Sequence, residues 1–199
     1  MGSREDDATV AYHPKVLSVA LSERDPYTQE HCERVLALAV ELGHTCTLSS
    51  QACTILRNGA MFHDVGKIGI PDEILFKDGP LSDADRNIMK QHSAKGERII
   101  KAAHLATGDE VARVIRHHHE AFDGSGYPDG LAGQDIPLLA RLLCIVDAYD
   151  AMATERPYRP AMSHRQIMAT LKIESGKRFD PQICRTFSSM IENSQQRAN

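Results

Sequence analysis

His63-Asp64 carries the most chemical information in this chain, read together with His31, His92, the run His117-His118-His119 and Asp147. Imidazole and carboxylate donors with no CxxC pair among them suit Fe, Mn, Ni or Zn in a reactive centre rather than a thiolate-rich structural zinc site. The seven candidates His31, His63, Asp64, His92, His118, His119 and Asp147 are too many for one tetrahedral ion. They fill two adjacent sites if one carboxylate bridges. Two cations a few ångströms apart are a device for hydrolysing phosphate esters.

Each candidate also has an ordinary alternative. A lone histidine such as His31, at the edge of an apolar helix stripe, is more often a packed or capping side chain than a ligand. His63-Asp64 ends an apolar helix (Ile55, Leu56, Ala60, Phe62), where an ionised Asp is costly unless a cation or hydrogen bonds meet it. Asp also has the wrong charge to cap a helix C-terminus. Three consecutive histidines cannot all face one centre, so two of His117, His118 and His119 are expected to ligate and one to point elsewhere. Asp147 and Asp150 interrupt a helix that is otherwise almost continuously apolar, and buried carboxylates must be paired or metal-bound. A salt bridge to Arg141 or Arg156 is the simpler fate for Asp150, and less so for Asp147. Lys67, three residues after Asp64, is either a solvated loop charge or a donor to a phosphate oxygen. Tyr127, within Asp123-Gly124-Ser125-Gly126-Tyr127-Pro128, offers a ring on which a base could stack.

The elements that must position these groups read as helices throughout. The periodicity predicts helices over 13–24, with Val16, Leu17, Val19, Ala20 and Leu21 as its apolar side, and from a Thr28 cap to about Leu42, stopped by Gly43. Another runs from Ser49 or Ser50 to about Asp64. A short turn follows Pro71, and Ser82 with Asp85 forms a capping box for a helix reaching His92 or beyond. Residues 93–104 continue as helix with a kink near Gly96, and Asp109 caps a helix ending at His118-His119. After an irregular Gly-rich segment from Asp123 to about Ile136, helices begin at Pro137, at Ser163 (with Gln166) and at Asp180-Pro181. No strand alternation appears. The expected fold is an all-α bundle with its chemical centre in the core, spanning 13–193, with a tail at 1–12 and a frayed end at 194–199.

The 199 residues, 42% of them hydrophobic, suffice for one sizeable core. A net charge of −4 supplies no general field for duplex nucleic acid, so an anionic ligand must be met by local cations, Arg and Lys. There is no apolar run long enough for a membrane span and no apolar signal segment at the N-terminus. The five irregularly spaced cysteines read as buried free thiols in a reducing cytoplasm.

His63-Asp64-Val65-Gly66-Lys67, His118-His119-Glu120, Asp123 to Pro128, and Asp147 with Arg156-Pro157-Tyr158-Arg159 together resemble the HD-GYP domain, a branch of the HD phosphohydrolase superfamily. The resemblance implies hydrolysis of cyclic di-GMP to pGpG and often on to GMP. It also implies one metal held by His31, His63, Asp64 and Asp147, and a second by Asp64, His92, His118 and His119. Asp64 would bridge them. Iron or manganese is the implied pair, and His/carboxylate donors also accept nickel or zinc. Asp64 and Lys67 would be catalytic, with Lys67 on the substrate phosphate and Tyr127, Asp150, Arg156 and Arg159 near the nucleotide. Tyr27 stands where some members carry a Glu for a third metal, Ala121-Phe122 where Arg-Trp is common, and Ser93 where Pro is usual. A regulatory domain in a longer protein and a partner docking at the loop around Tyr127 are further implications. Two alternatives are another cyclic dinucleotide such as cyclic GMP-AMP, and a domain that binds the nucleotide without turning it over.

Overall fold

The computed structural model describes residues 14–104, 106–155 and 160–198, so the expected tail at 1–12 lies outside the described residues. The described chain forms α1 (Pro14–Arg24), α2 (Pro26–Thr45), α3 (Ser50–Phe62), α4 (Asp72–Leu75), α5 (Asp83–Met89), α6 (Gln91–Ala102), α7 (Gly108–His117), α8 (Leu138–Ala153), α9 (His164–Glu174) and α10 (Pro181–Ile191). Two 3₁₀ turns lie at Val65–Gly69 and Gly133–Asp135. Among the described residues β pairing is limited to one isolated bridge, Ser175 to Phe179, and the fold is all-α as expected.

Helix starts follow local chemistry. The Ser82–Asp85 and Ser163–Gln166 capping boxes both form. The Asp180 carboxylate accepts from the Gln182 and Ile183 amides. At α2 the cap is Asp25 rather than Thr28: its carboxylate accepts from the Thr28 amide at 3.3 Å and from the Thr28 hydroxyl. An Asp cap followed by Pro at the first helical position explains the displaced start. At the other end Gly43 does not stop α2, which runs on to Thr45 while packed against α3. The interruption expected near Gly96 falls instead at Lys90, between α5 and α6.

Helix α8 is the axis of the core, with a nearly unbroken run of buried residues from Ala140 to Asp150. Helices α2, α3, α7, α9 and α10 pack around it, while α6 lies on α7 and on the Val65–Gly69 turn. The apolar side of α1 is narrower than its sequence suggests. Leu21 is buried and Leu17 packs on the core, but Val16 and Val19 are 60% and 49% exposed. The C-terminal end is tied down rather than frayed: the Ser194 hydroxyl donates to Glu41 at 2.6 Å and the Ala198 amide to the Tyr149 hydroxyl at 2.8 Å. Cys32, Cys144 and Cys184 are buried and Cys46 and Cys53 half-buried, all five as free thiols. No helix among the described residues is long and apolar enough to cross a membrane.

Candidate metal centre

Five elements bring one chemically reactive residue or more to a common point. His31 comes from the second turn of α2, His63 and Asp64 from the end of α3, and His92 from the first turn of α6. His118 and His119 follow the last residue of α7, and Asp147 comes from α8. The C-termini of α3 and α7 both point here, and their partial negative charge favours cations. Close approach of the Val65–Gly69 turn to α6 needs Gly66, where a Cβ would lie 1.8 Å from the His92 carbonyl oxygen.

The donors fall into two groups, His31 with His63 and Asp64, and His92 with His118 and His119. Asp64 faces both. Its Oδ2 lies 4.0 Å from His31 Nε2 and 3.6 Å from His63 Nε2, while Oδ1 lies 3.6 Å from His92 Nε2. Asp147 Oδ1 is 3.1 Å from His31 Nε2 and 3.9 Å from His63 Nε2. Bonds of about 2.1 Å give donor–donor edges of roughly 3.0–3.4 Å; the 3.1 Å from His31 to Asp147 lies in that range, and the other separations exceed it by a few tenths of an ångström.

Hydrogen bonds behind the rings aim them inward. The Nδ1 atoms of His63, His92 and His118 bond the Ala60, Met89 and Ile115 carbonyl oxygens at 2.8, 2.8 and 2.7 Å. Each therefore carries its proton on Nδ1 and presents the Nε2 lone pair to the centre. His31 Nδ1 is met at 2.7 Å by Asp150 Oδ2. Asp150 is in turn gripped by Arg34, at 2.7 Å from Nε and 3.1 Å from Nη2. Asp150 thus lies behind His31, and its cation is Arg34 instead of Arg141, which pairs with Asp180.

Electrostatics agree with a site for cations. Burial, then the neighbouring His63 and His92, push His118 down to about 3. Burial and His118 drive His119 well below the usual histidine range. Burial opposes a charge on His31 too, but hydrogen bonds to Asp147 and Asp150 override it and raise the ring to about 9. Burial would raise Asp64, yet Lys67 and the surrounding rings hold it well below the usual carboxylate range. The donor set fits divalent cations by a simple test: the buried Nε2 atoms of His92 and His118 have no hydrogen-bond partner. A buried orphan nitrogen is costly unless something with vacant valence sits beside it.

The centre opens into a cleft of about 480 Å³ that is lined by His31, Asp64, Lys67, His119, Tyr127 and Asp147, among others. Lys67 Nζ sits 2.6 Å from Asp64 Oδ2. The Tyr127 ring is not bare: His119 lies against it at 4.8 Å between centroids, and Lys90 Nζ is 5.2 Å from its centre. Arg156 and Arg159 lie outside the described residues.

Sequence reasoning assigned no role to several residues that shape this site. His117, the odd member of the run, bonds Asp129 at 2.9 Å, and Arg116 grips the same carboxylate at 2.7 and 2.6 Å. Buried Glu120 accepts from the Asp129 and Leu131 amides at 2.8 and 3.1 Å, holding the loop that carries Tyr127. Gly126 is required there, since a Cβ would meet the Ala121 nitrogen at 2.1 Å. The available signal was Glu120 itself, a charge directly after two histidines at the end of an apolar helix. Arg178, also in the cleft wall, gave no signal.

An all-α bundle that gathers histidines and aspartates from separate helices around one His-Asp step defines the HD domain class. The HD domain family model matches residues 15–183, and the chain belongs to that family. It is similar to the cyclic di-GMP phosphodiesterase response regulator RpfG of Xanthomonas campestris pv. campestris, with 37% identity over 165 residues, covering 83% of this chain and 44% of the relative. It is also similar to a 3'3'-cGAMP-specific phosphodiesterase 2 of Vibrio cholerae, 33% identical over 180 residues, covering 90% of this chain and 34% of the relative. The chain spans less than half the length of the curated relatives it matches. Among solved structures, Bd1817, a HDG"Y"P protein from Bdellovibrio bacteriovorus, superposes with a TM-score of 0.69 at 21% identity, over 92% of this chain and 59% of the other. At that identity the likeness shows the fold.

Proposed function

We propose that this chain is the phosphodiesterase unit of a binuclear metalloenzyme that hydrolyses cyclic di-GMP to pGpG and onward to GMP. One observation carries the reading: two histidine groups, buried but for half-buried His119, face opposite oxygens of the same aspartate. His31, His63, Asp64 and Asp147 would hold one divalent cation, and Asp64, His92, His118 and His119 the other. Iron or manganese is favoured by the resemblance, with nickel or zinc compatible with the donors. When bound, such a pair activates water and neutralises charge on a phosphoryl group.

The chain's own residues supply the rest. Asp64 sets the spacing of the two halves. Asp150 and Arg34 hold the His31 ring with its Nε2 turned toward Asp147. Lys67 places an ammonium beside Asp64, where it can donate to a phosphate oxygen or to the departing oxygen. Glu120 and Arg116 fix the loop that brings Tyr127 against His119. A second reading, hydrolysis of 3'3'-cGAMP, is favoured by the similarity to phosphodiesterases specific for that nucleotide. Five free thiols accord with a cytoplasmic setting. The greater length of the relatives, one of them a response regulator, accords with a regulatory domain on the same polypeptide. A protein partner docking at the Tyr127 loop belongs to the same proposal.

The test is anaerobic purification with metal analysis, followed by assays on cyclic di-GMP and 3'3'-cGAMP that resolve the linear dinucleotide from mononucleotide. About two metals per chain with turnover of a cyclic dinucleotide is the expected result. A metal-replete protein that binds the nucleotide and never cleaves it would establish the binding-module alternative instead.

A further inference from the structure

Beyond Tyr127 lies a second hollow of about 490 Å³, lined by Lys90, Lys177 and Arg178 and sharing His119, Tyr127 and Arg178 with the metal-side cleft. Two of its cations stand at the shared wall. Lys90 lies over the Tyr127 ring, and Arg178 lines both hollows. Among the described residues no carboxylate pairs with Lys90 or Arg178 within salt-bridge distance. Asp123 and Glu174 also line this hollow, and the Asp123 carboxylate is already engaged by the Ser125 amide and hydroxyl at 2.9 and 2.6 Å. The Arg178 backbone is fixed, because its carbonyl oxygen accepts from the Phe122 amide at 3.2 Å and that of Lys177 from the Asp123 amide at 2.8 Å. Cations without anionic partners beside a phosphoester site, in a chain of net charge −4, are suited to an anion supplied by the ligand.

We infer that the two hollows are halves of one groove for a substrate with two phosphodiesters, and that Arg178 and Lys90 hold the phosphate that is not cleaved. The inference rests on the phosphodiesterase reading above and adds what would select a cyclic dinucleotide over a simple diester. One phosphodiester lies beside Asp64 and Lys67. The other sits across Tyr127 against Arg178 and Lys90. Each hollow falls in the size range of a small-molecule site, so each takes one nucleotide of the ring. The two cations are substrate-positioning residues and touch no reacting atom.

The experiment compares wild type, Arg178→Ala, Lys90→Ala and Arg178→Lys on cyclic di-GMP and on bis(p-nitrophenyl) phosphate, which has one phosphate. Metal content and circular dichroism are recorded for every variant. Each alanine variant should raise KM for cyclic di-GMP on the order of tenfold, the scale of one charge-assisted hydrogen bond, with a much smaller change in kcat. The ratio of kcat/KM for cyclic di-GMP to that for the simple diester should fall by a similar factor, and Arg178→Lys should recover part of it. If wild type cleaves cyclic di-GMP and the alanine variants leave KM unmoved, or weaken both substrates equally, the assignment is overturned while the activity stands. If wild type cleaves the simple diester and no cyclic dinucleotide, the substrate reading itself falls and the assignment with it.

Discussion

Both oxygens of Asp64 are in use, one toward His31 and His63 and the other toward His92, and Lys67 sits on the first. Among the described residues Asp64 is the carboxylate with an oxygen within 4.0 Å of a ring nitrogen in each histidine group. Asp64→Ala is therefore expected to lose both cations together, with turnover down by at least about 10³, the loss of a metal-activated nucleophile; metal analysis beside the cyclic di-GMP assay checks it. Full metal content with normal turnover would contradict the assignment. Lys67→Ala should separate from it, keeping metal while kcat falls by roughly 10–100-fold, since only a charged donor is gone. Asp150→Asn weakens the support behind His31, and such changes lower metal affinity by about 10–100-fold; titration with a metal-competing chelator reads this directly. These residues were legible in the sequence to different degrees. A carboxylate in an apolar helix announces a partner, which is why Asp147 and Asp150 stood out. Naming that partner needs the fold, because Arg34 lies 116 positions from Asp150.

At the scale of elements, the site depends on the close approaches at Gly66 and Gly126 and on the loop that Glu120 anchors. Gly66 lets the 65–69 turn press on α6 beside His92, so Gly66→Ala should displace His92 and destabilise the fold by about 1–3 kcal/mol or more, as overpacking does. A urea melt reads the stability, and metal content reads the displacement. Glu120→Ala removes the acceptor for two loop amides, each left unsatisfied at a cost of about 1–3 kcal/mol. Hydrogen exchange should quicken at Asp129 and Leu131 well before it does in α8. Helix existence and several caps were readable because capping boxes and Asp-Pro starts are local chemistry. The orientation of α1 was not, because its apolar residues point several ways and only packing buries Leu21 while leaving Val16 exposed. Gly43 misled as a stop signal since packing of α2 on α3 outweighed its low helix propensity. Arg178 was invisible for the opposite reason, a lone exposed charge after a turn.

The whole molecule carries the electrostatic strain of a site built for cations. In metal-free protein the depressed His118 and His119 bind no proton where the unfolded chain does, so stability falls as pH drops below about 6.5, toward 3 for His118. His31 has the opposite sign: raised to about 9, it contributes stability that is present below about 6.5 and lost as pH rises through 9. Urea midpoints measured with chelator should therefore peak near neutrality and decline on both sides. Added manganese or iron should remove the alkaline decline, because ligation needs His31 unprotonated. A flat profile with chelator would refute this balance. The donors come from α2, α3, α6, α7 and α8, and the link from His31 to Asp150 alone closes 119 residues of chain. Bound ions would then act as a clasp joining most of the bundle, stabilising it by mass action. If the centre holds its ions as proposed, starvation for metal would reach past the chemistry: unclasped copies would be digested first, so a cell short of that metal would lower its stock of this protein.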